Sequence, residues 1–327
     1  MDVAEAAGTS AATASRILNG ATTFPVSEEF RRRVVQTARE LGYRPHAAAR
    51  SLRMSRAGAV GMLVPTFTNP VYAQLIGSAF ARAAEEGVTM LLAEDSDGEQ
   101  AGEALAPLVR EGRIDGVIVA SIRAGCSLPD LLEEHHVPHV FMNRGVPGSG
   151  RNVTMDDGLA AVLAVDHLAG LGHRRIAHVA GPLDIDPAVR RAEAFKRRAW
   201  ELGLKHTVVE EEFLESGGTR AFERLWAEGD RSTAIYTSTV SQGVGVLAAA
   251  SRHGIGIPRQ LSVIAHADML LADFLVPPLT AIRVPLARLA AVAVDALLEQ
   301  IRTGTIADVV VDEEPELVVR ASTAAPL

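Results

Sequence analysis

Few side chains in this 327-residue chain stand in a pattern that does covalent chemistry. Cys126 is the one cysteine, and the clustered histidines are His135, His136 and His139. There is no His/Cys/Asp metal spacing, and those histidines flank a loop-to-strand step and are expected in solvent rather than on a metal. No G-x-G-x-x-G follows a first strand, and Gly243-Val244-Gly245 falls inside a predicted helix. G-x-S-x-G and phosphate-loop patterns are missing too. No catalytic residue, metal or cofactor is therefore expected, and the chain reads as a binder rather than an enzyme. One short pattern does imply recognition. Ala6-Ala7-Gly8-Thr9-Ser10, followed by a predicted helix over 11–19, has helix-turn-helix spacing. The glycine permits the sharp turn, and the second helix offers its N-terminal residues to a major groove. Helical hairpins of other kinds share this spacing.

Charge supports recognition of nucleic acid. The net charge of -8 hides an asymmetry: residues 1–56 hold nine arginines (16, 31, 32, 33, 39, 44, 50, 53, 56) against Asp2, Glu5, Glu28, Glu29 and Glu40. A basic head on an acidic body meets phosphates with the head while the body is repelled. With one cysteine, no apolar run of membrane-spanning length and no signal-peptide layout at MDVAEAAGTS, a cytoplasmic protein is expected.

Positioning these residues falls to two kinds of element. The first 43 residues read as three short helices. Val3, Ala6 and Ala7 form the apolar face of the first, Ser10 caps the second and Ser27 the third. Phe30, Val34, Ala38 and Leu41 make the buried stripe of the third. From residue 59 apolar strands alternate with helices predicted at 71–86, 99–112 and 127–135, then at 157–171, 187–202, 217–229 and 239–253. A strand at 279–283, a helix at 285–302 and short strands at 308–311 and 316–320 follow. Repeated βα units imply parallel sheets covered by helices, and two runs of them imply two lobes whose ligands sit at the C-terminal strand ends.

The wider pattern is more specific. DVAEAAGTSAATASRILNG (2–20) and VSEEFRRRVVQTARELGYRPHAAARSLR (26–53) resemble the headpiece and hinge of the lactose-repressor (LacI) family, and the likeness continues through VGMLVPTFTNPVYAQL, PHVFMNRG, HLAGLGHRRIAHVAGP, GIGIPRQLSVIAHAD and PPLTAIRVP. The resemblance implies an all-α helix-turn-helix headpiece (1–43), a hinge helix or linker (44–56), and an α/β core of two parallel-sheet lobes built like a periplasmic binding protein. The first lobe would comprise 57–155 and 282–306, the second 156–281 and 307–327. It further implies a homodimer that represses transcription from a near-palindromic double-stranded DNA operator and senses a small-molecule effector, a sugar or sugar derivative.

By that resemblance Ser10, Ala11, Ala12, Thr13, Ser15, Arg16 and Asn19 lie on or near the DNA-facing side of the recognition helix. Arg16 is the best base reader, because a guanidinium grips guanine O6 and N7 together. Ala48, Ala49, Arg50, Leu52 and Arg53 match the hinge, with Leu52 at the position that wedges into the minor groove. Effector positions map onto Asn69, Pro70, Tyr72, Asn143, Arg144, Asp156, Arg191, Tyr236, Thr239 and Asp268, with Phe67, Phe141 and Tyr236 as apolar walls. The chain departs from its relatives where Thr239-Val240 replaces Asn-Asp and Ala267-Asp268 replaces a pair of acids or an acid and an amide. Two carboxylate positions are lost, which predicts a less polar or anionic effector, or a weakened response to ligand.

Overall fold

The computed structural model describes residues 3–18, 26–43, 57–95 and 107–327. Asn19, the hinge segment 44–56 with Ala48, Ala49, Arg50, Leu52 and Arg53, and most of the helix expected at 99–112 lie outside the described residues. The chain divides into two units between Ala57 and Gly58.

The first unit holds three helices, α1 (Val3–Ala6), α2 (Ala11–Leu18) and α3 (Glu28–Glu40). Gly8, at φ +65°, makes the turn between the first two. Ser10 caps α2, its Oγ accepting from the Thr13 amide at 3.2 Å, and Ser27 caps α3 through the Phe30 amide at 3.2 Å. Ala4, Ala7, Ala14, Ile17 and Val34 form the core, with Leu18, Val26, Phe30 and Val35 against it. Two expectations are corrected. Ala6 is exposed and Ala4 is buried, because the face that meets the other helices runs through Val3, Ala4 and Ala7. Leu41 is exposed, because α3 stops at Glu40 and the next residue leaves its stripe.

The second unit contains two six-stranded sheets. The first lobe is built on β1 (Ala59–Val64), β2 (Thr89–Glu94), β3 (Val117–Val119), β4 (His139–Met142) and β5 (Asn152–Thr154), with α4 (Pro70–Glu85) and α5 (Leu128–Glu134). The second lobe carries α6 (Asp157–Gly170), β6 (Arg175–Ala180), α7 (Asp186–Glu201), β7 (Lys205–Glu210), α8 (Glu215–Ala227), β8 (Ala234–Thr237), α9 (Val240–Arg252), β9 (Ser262–His266) and β10 (Thr280–Arg283). The chain then returns through α10 (Leu286–Thr303), packed on α4 and β4. It closes with β11 (Val309–Val310) and β12 (Glu316–Val318). Strand orders are β11-β5-β4-β3-β1-β2 and β12-β10-β9-β8-β6-β7. Every pairing is parallel except β10 with β12. These strands are mostly fully buried and apolar, as sheets covered on both faces require.

Pairing moves two of the expected lobe boundaries. β10 runs to Arg283 in the second sheet, so residues 282 and 283 belong there, and β11 pairs with β5, so residues 309 and 310 belong to the first. His139, expected in solvent with His135 and His136, is instead buried. It opens β4, its Nδ1 lies 2.7 Å from the Val137 carbonyl, and burial lowers its pKa. The other two are exposed.

Candidate functional site

In the first unit the surface that can meet DNA is one face of α2. Ala14 and Ile17 point into the core, which leaves Ala11, Ala12 and Arg16 exposed and Thr13 and Ser15 half-buried. Positions 11, 12, 15 and 16 adjoin on the helix at successive and i, i+4 spacing, so they form one continuous face. Ser10 sits at its N-terminal edge, with its hydroxyl bound to Thr13 Oγ1 at 3.0 Å.

In the second unit the strand ends of the two lobes converge on a narrow cleft with a cavity volume of about 30 Å³. From the first lobe come Asn69, Val71 and Tyr72 after β1, Asn143 and Arg144 after β4, and Met155 after β5. From the second come Ile185, Pro187 and Arg191 around the start of α7, Phe213 after β7, Ser238 and Thr239 after β8, and His266 and Ala267 at the end of β9. Val284 and Leu286 line it from the crossover after β10. Placement at C-terminal strand ends is what an α/β sheet offers a ligand.

Local structure spends some of these side chains and leaves others for a ligand. Asn69 Oδ1 caps α4 by accepting from the Val71 amide at 3.0 Å, which leaves its Nδ2 unused within the described residues. Thr239 is fully committed: its Oγ1 accepts from the Gln242 amide at 3.0 Å, capping α9, and donates to the Phe213 carbonyl at 3.1 Å. It therefore positions Phe213, whose ring faces the Arg191 guanidinium at 5.8 Å. Asn143 sits at φ +70°, a turn that carries β4 over into the cleft wall. Its backbone oxygen accepts from Arg190 Nη2 at 3.0 Å.

Charge is concentrated behind this wall. Arg191, buried, donates from Nε to the Pro187 carbonyl at 2.8 Å and from Nη1 to the Ser238 carbonyl at 2.7 Å, with Asp157 Oδ1 at 3.4 Å. Arg190 stands 3.0 Å from Asp157 Oδ2, out of line for a hydrogen bond, and reaches the Met155 carbonyl at 2.8 Å. It thus ties α7 to the first lobe. Asp157 has no accessible surface, and neither of its carboxylate oxygens accepts a hydrogen bond. Burial pushes its pKa up while Arg191 and Arg190 pull it back. His266 Nε2 lies 3.5 Å from Asp157 Oδ1, and its Nδ1 lies 3.1 Å from the Tyr236 hydroxyl. Burial, then Arg191, holds His266 well below the usual histidine range, and burial pushes Tyr236 above the usual phenol range.

Of the expected effector residues, the cleft brings together Asn69, Tyr72, Asn143, Arg144, Arg191 and Thr239. Asp156, Tyr236 and Asp268 do not line it. Asp156 is exposed and caps α6 through the Leu159 amide at 2.7 Å. Tyr236 lies beneath the floor, stacked on His178 with ring centres 4.8 Å apart. Asp268 is held by Arg320 at 2.8 Å and Arg283 at 3.0 Å. Neither Phe67, which is exposed, nor Phe141, which is in the first lobe's core, forms a wall. Met155 was missed because β5, which it follows, was not expected, whereas Phe213, His266 and Ser238 were missed although each closes or follows a predicted strand. Asking the same question at every strand end would have found the latter.

Among the described residues no helix is long and apolar enough to cross a membrane, and no three or more His, Cys, Asp or Glu gather as a metal site. Residues 1–46 match the family described as bacterial regulatory proteins, lacI family, and residues 165–323 match a periplasmic binding protein-like domain. The chain is 30% identical to the ribose operon repressor of Escherichia coli (strain K12) over 326 residues, 98% of each chain. A LacI family transcriptional regulator from Mycobacterium smegmatis superposes with a TM-score of 0.75 at 33% identity, over 82% of this chain and 100% of that one. A lac repressor dimer bound to operator and an anti-inducer shares the fold at a TM-score of 0.87 and 24% identity, over 99% and 98%.

Proposed function

The chain belongs to the LacI family of bacterial regulatory proteins, and from that membership we propose that it represses transcription by binding an operator through α2, under the control of a small molecule held in the inter-lobe cleft. It is a DNA-binding regulator of transcription with a periplasmic-binding-protein-like sensing core. The observation that carries the operator reading is the exposed face of α2, where Arg16 is the one long, always-charged side chain beside Ala11 and Ala12. Arg16 reads guanine, the two alanines meet thymine methyls, and Ser10, Thr13 and Ser15 contact phosphates or hold the helix end. Asn19 and the hinge residues Ala48, Ala49, Arg50, Leu52 and Arg53 join this surface on sequence resemblance alone.

In the cleft, the groups left for an effector are Asn69 Nδ2, the Asn143 amide, and the unused edges of Arg144 and Arg191, with Tyr72 and Phe213 as walls. The protein works by binding, without catalysis, in the cytoplasm where its operator is. Mobility shifts on near-palindromic sequences upstream of its own gene provide the test. Wild type should shift one of them, and Arg16→Ala should lose about 1–3 kcal/mol of discrimination at a guanine position. No shift on any such sequence, or an Arg16→Ala protein with unchanged affinity, would count against the proposal.

A further inference from the structure

The cleft is lined by two arginines and a histidine, and among the described residues by no carboxylate. The two arginines differ in how their charge is balanced. Arg191 has Asp157 behind it at 3.4 Å. Arg144 is 3% exposed and makes no ion pair among the described residues. Its Nη1 donates to the carbonyls of Ser121 and Ile122, both at 3.1 Å, its carbon Cζ stands 5.9 Å from the Tyr72 ring centre, and its buried Nε has no hydrogen-bond acceptor. Asp95 connects to it through Ser121, whose Oγ donates to that carboxylate at 2.9 Å. Carbonyl dipoles and a ring face offset part of a buried guanidinium's lost hydration, but they do not neutralise it.

We infer that the effector is a small organic monocarboxylate whose anionic group neutralises Arg144, so that ligand supplies the counter-charge this cleft lacks. The inference rests on the reading that the inter-lobe cleft is the effector site. Of the two arginines that line the cleft, Arg144 alone has no ion-pair partner among the described residues, so one anionic group on the ligand meets it. A carboxylate suits a planar guanidinium because two parallel N–H groups match its two oxygens. The remaining polar groups, Asn69 Nδ2 and the Asn143 amide, suit hydroxyls on the same molecule, and Phe213 covers its apolar edge. A hydroxy acid is the compact molecule that presents all three.

The test uses the full chain and matched pairs of probes: glycerate against glycerol, ribonate against ribose and gluconate against glucose, by calorimetry at constant ionic strength. At least one acid should bind about tenfold or more tighter than its neutral partner. Arg144→Met should abolish that preference, since it removes the buried charge that has no ion-pair partner among the described residues. Arg144→Gln removes the charge while keeping donors for the Ser121 and Ile122 carbonyls, and gives the same reading if the methionine variant does not fold. The inference is overturned if each neutral partner binds as tightly as its acid, if no acid binds, or if both variants keep the preference. A mobility shift on the same preparation separates the two levels. Intact operator binding with neutral-selective ligand binding defeats the anion alone, whereas loss of operator binding in wild type defeats the repressor reading.

Discussion

Histidine and aspartate side chains that have no accessible surface make stability depend on pH, with a sign set by the direction of each shift. His178 is stacked on Tyr236, with ring centres 4.8 Å apart, and lies beside the tilted Phe195 ring at 5.1 Å, and burial holds its pKa at about 3. His266 is held low for the same reason. Both are neutral in the fold at neutral pH, while in the unfolded chain they take up protons below about pH 6.5. Their contribution is therefore fully present above the unfolded value and is lost as pH falls, by up to about 1.4 kcal/mol per pH unit for each. Asp157 works the other way. Its raised folded pKa means that the fold keeps a proton the unfolded chain has released, so the stability it costs is regained on acidification through that folded value. Urea unfolding between about pH 7 and pH 5 should show stability falling on the acid side. The slope should be shallower in His178→Leu by about 1.4 kcal/mol per pH unit. Parallel curves for the two proteins would show that this histidine titrates alike in both states.

Helix crossings in the second lobe depend on glycines whose hydrogens stand where no Cβ fits. Gly218 on α8 lies against the Gln242 backbone of α9, and Gly245 on α9 lies against the Glu215 backbone of α8, so the two helices approach with nothing between them. Gly218→Ala should cost about 1–3 kcal/mol through overpacking. Gly77→Ala, in the exposed middle of α4 with open space around it, should instead gain about 0.5–1 kcal/mol, because an alanine loses less backbone freedom than a glycine in a helix. Thermal unfolding of the pair checks both signs together, and equal effects would remove the close-approach explanation. At this scale the sequence was readable wherever the signal is local. The helix expected at 157–171 is found at Asp157–Gly170 and that at 239–253 at Val240–Arg252. Elements whose place depends on distant partners were not readable. β11 is two residues long and shows its sheet only by pairing with β5. Nothing local says that β7 ends at Glu210 and leaves the Phe213 ring to face Arg191. The expected effector residues that line the cleft came from a family pattern. Asp157, one residue past the expected Asp156, owes its importance to burial, which sequence does not display.

For the whole molecule the open surface to account for lies between β9 and β10. Leu270 is 77% exposed, Phe274 73% and Val276 93%, all within seven residues that include a short 3-10 helix. Scattered exposed apolar residues need no explanation, but a contiguous run of this kind marks a surface that is covered by something else. A second copy of the chain fits that role, because the near-palindromic operator proposed above needs two recognition helices related by a two-fold axis. Joining two weak DNA contacts in one particle makes the second contact intramolecular, which raises affinity by about 10²–10⁴-fold without any new interaction with DNA. The double variant Phe274→Glu, Val276→Glu places two charges in this patch, where burial against a partner would leave them unpaired. Sedimentation should show it as a monomer with unchanged far-ultraviolet circular dichroism. Operator affinity should fall by about a hundredfold or more and recover on a half-site only to the level of a single headpiece. Ligand binding should survive, since neither Phe274 nor Val276 lines the cleft. A double variant that sediments as a dimer would move the interface elsewhere, and one that is monomeric with undiminished operator affinity would show that a single headpiece suffices for recognition.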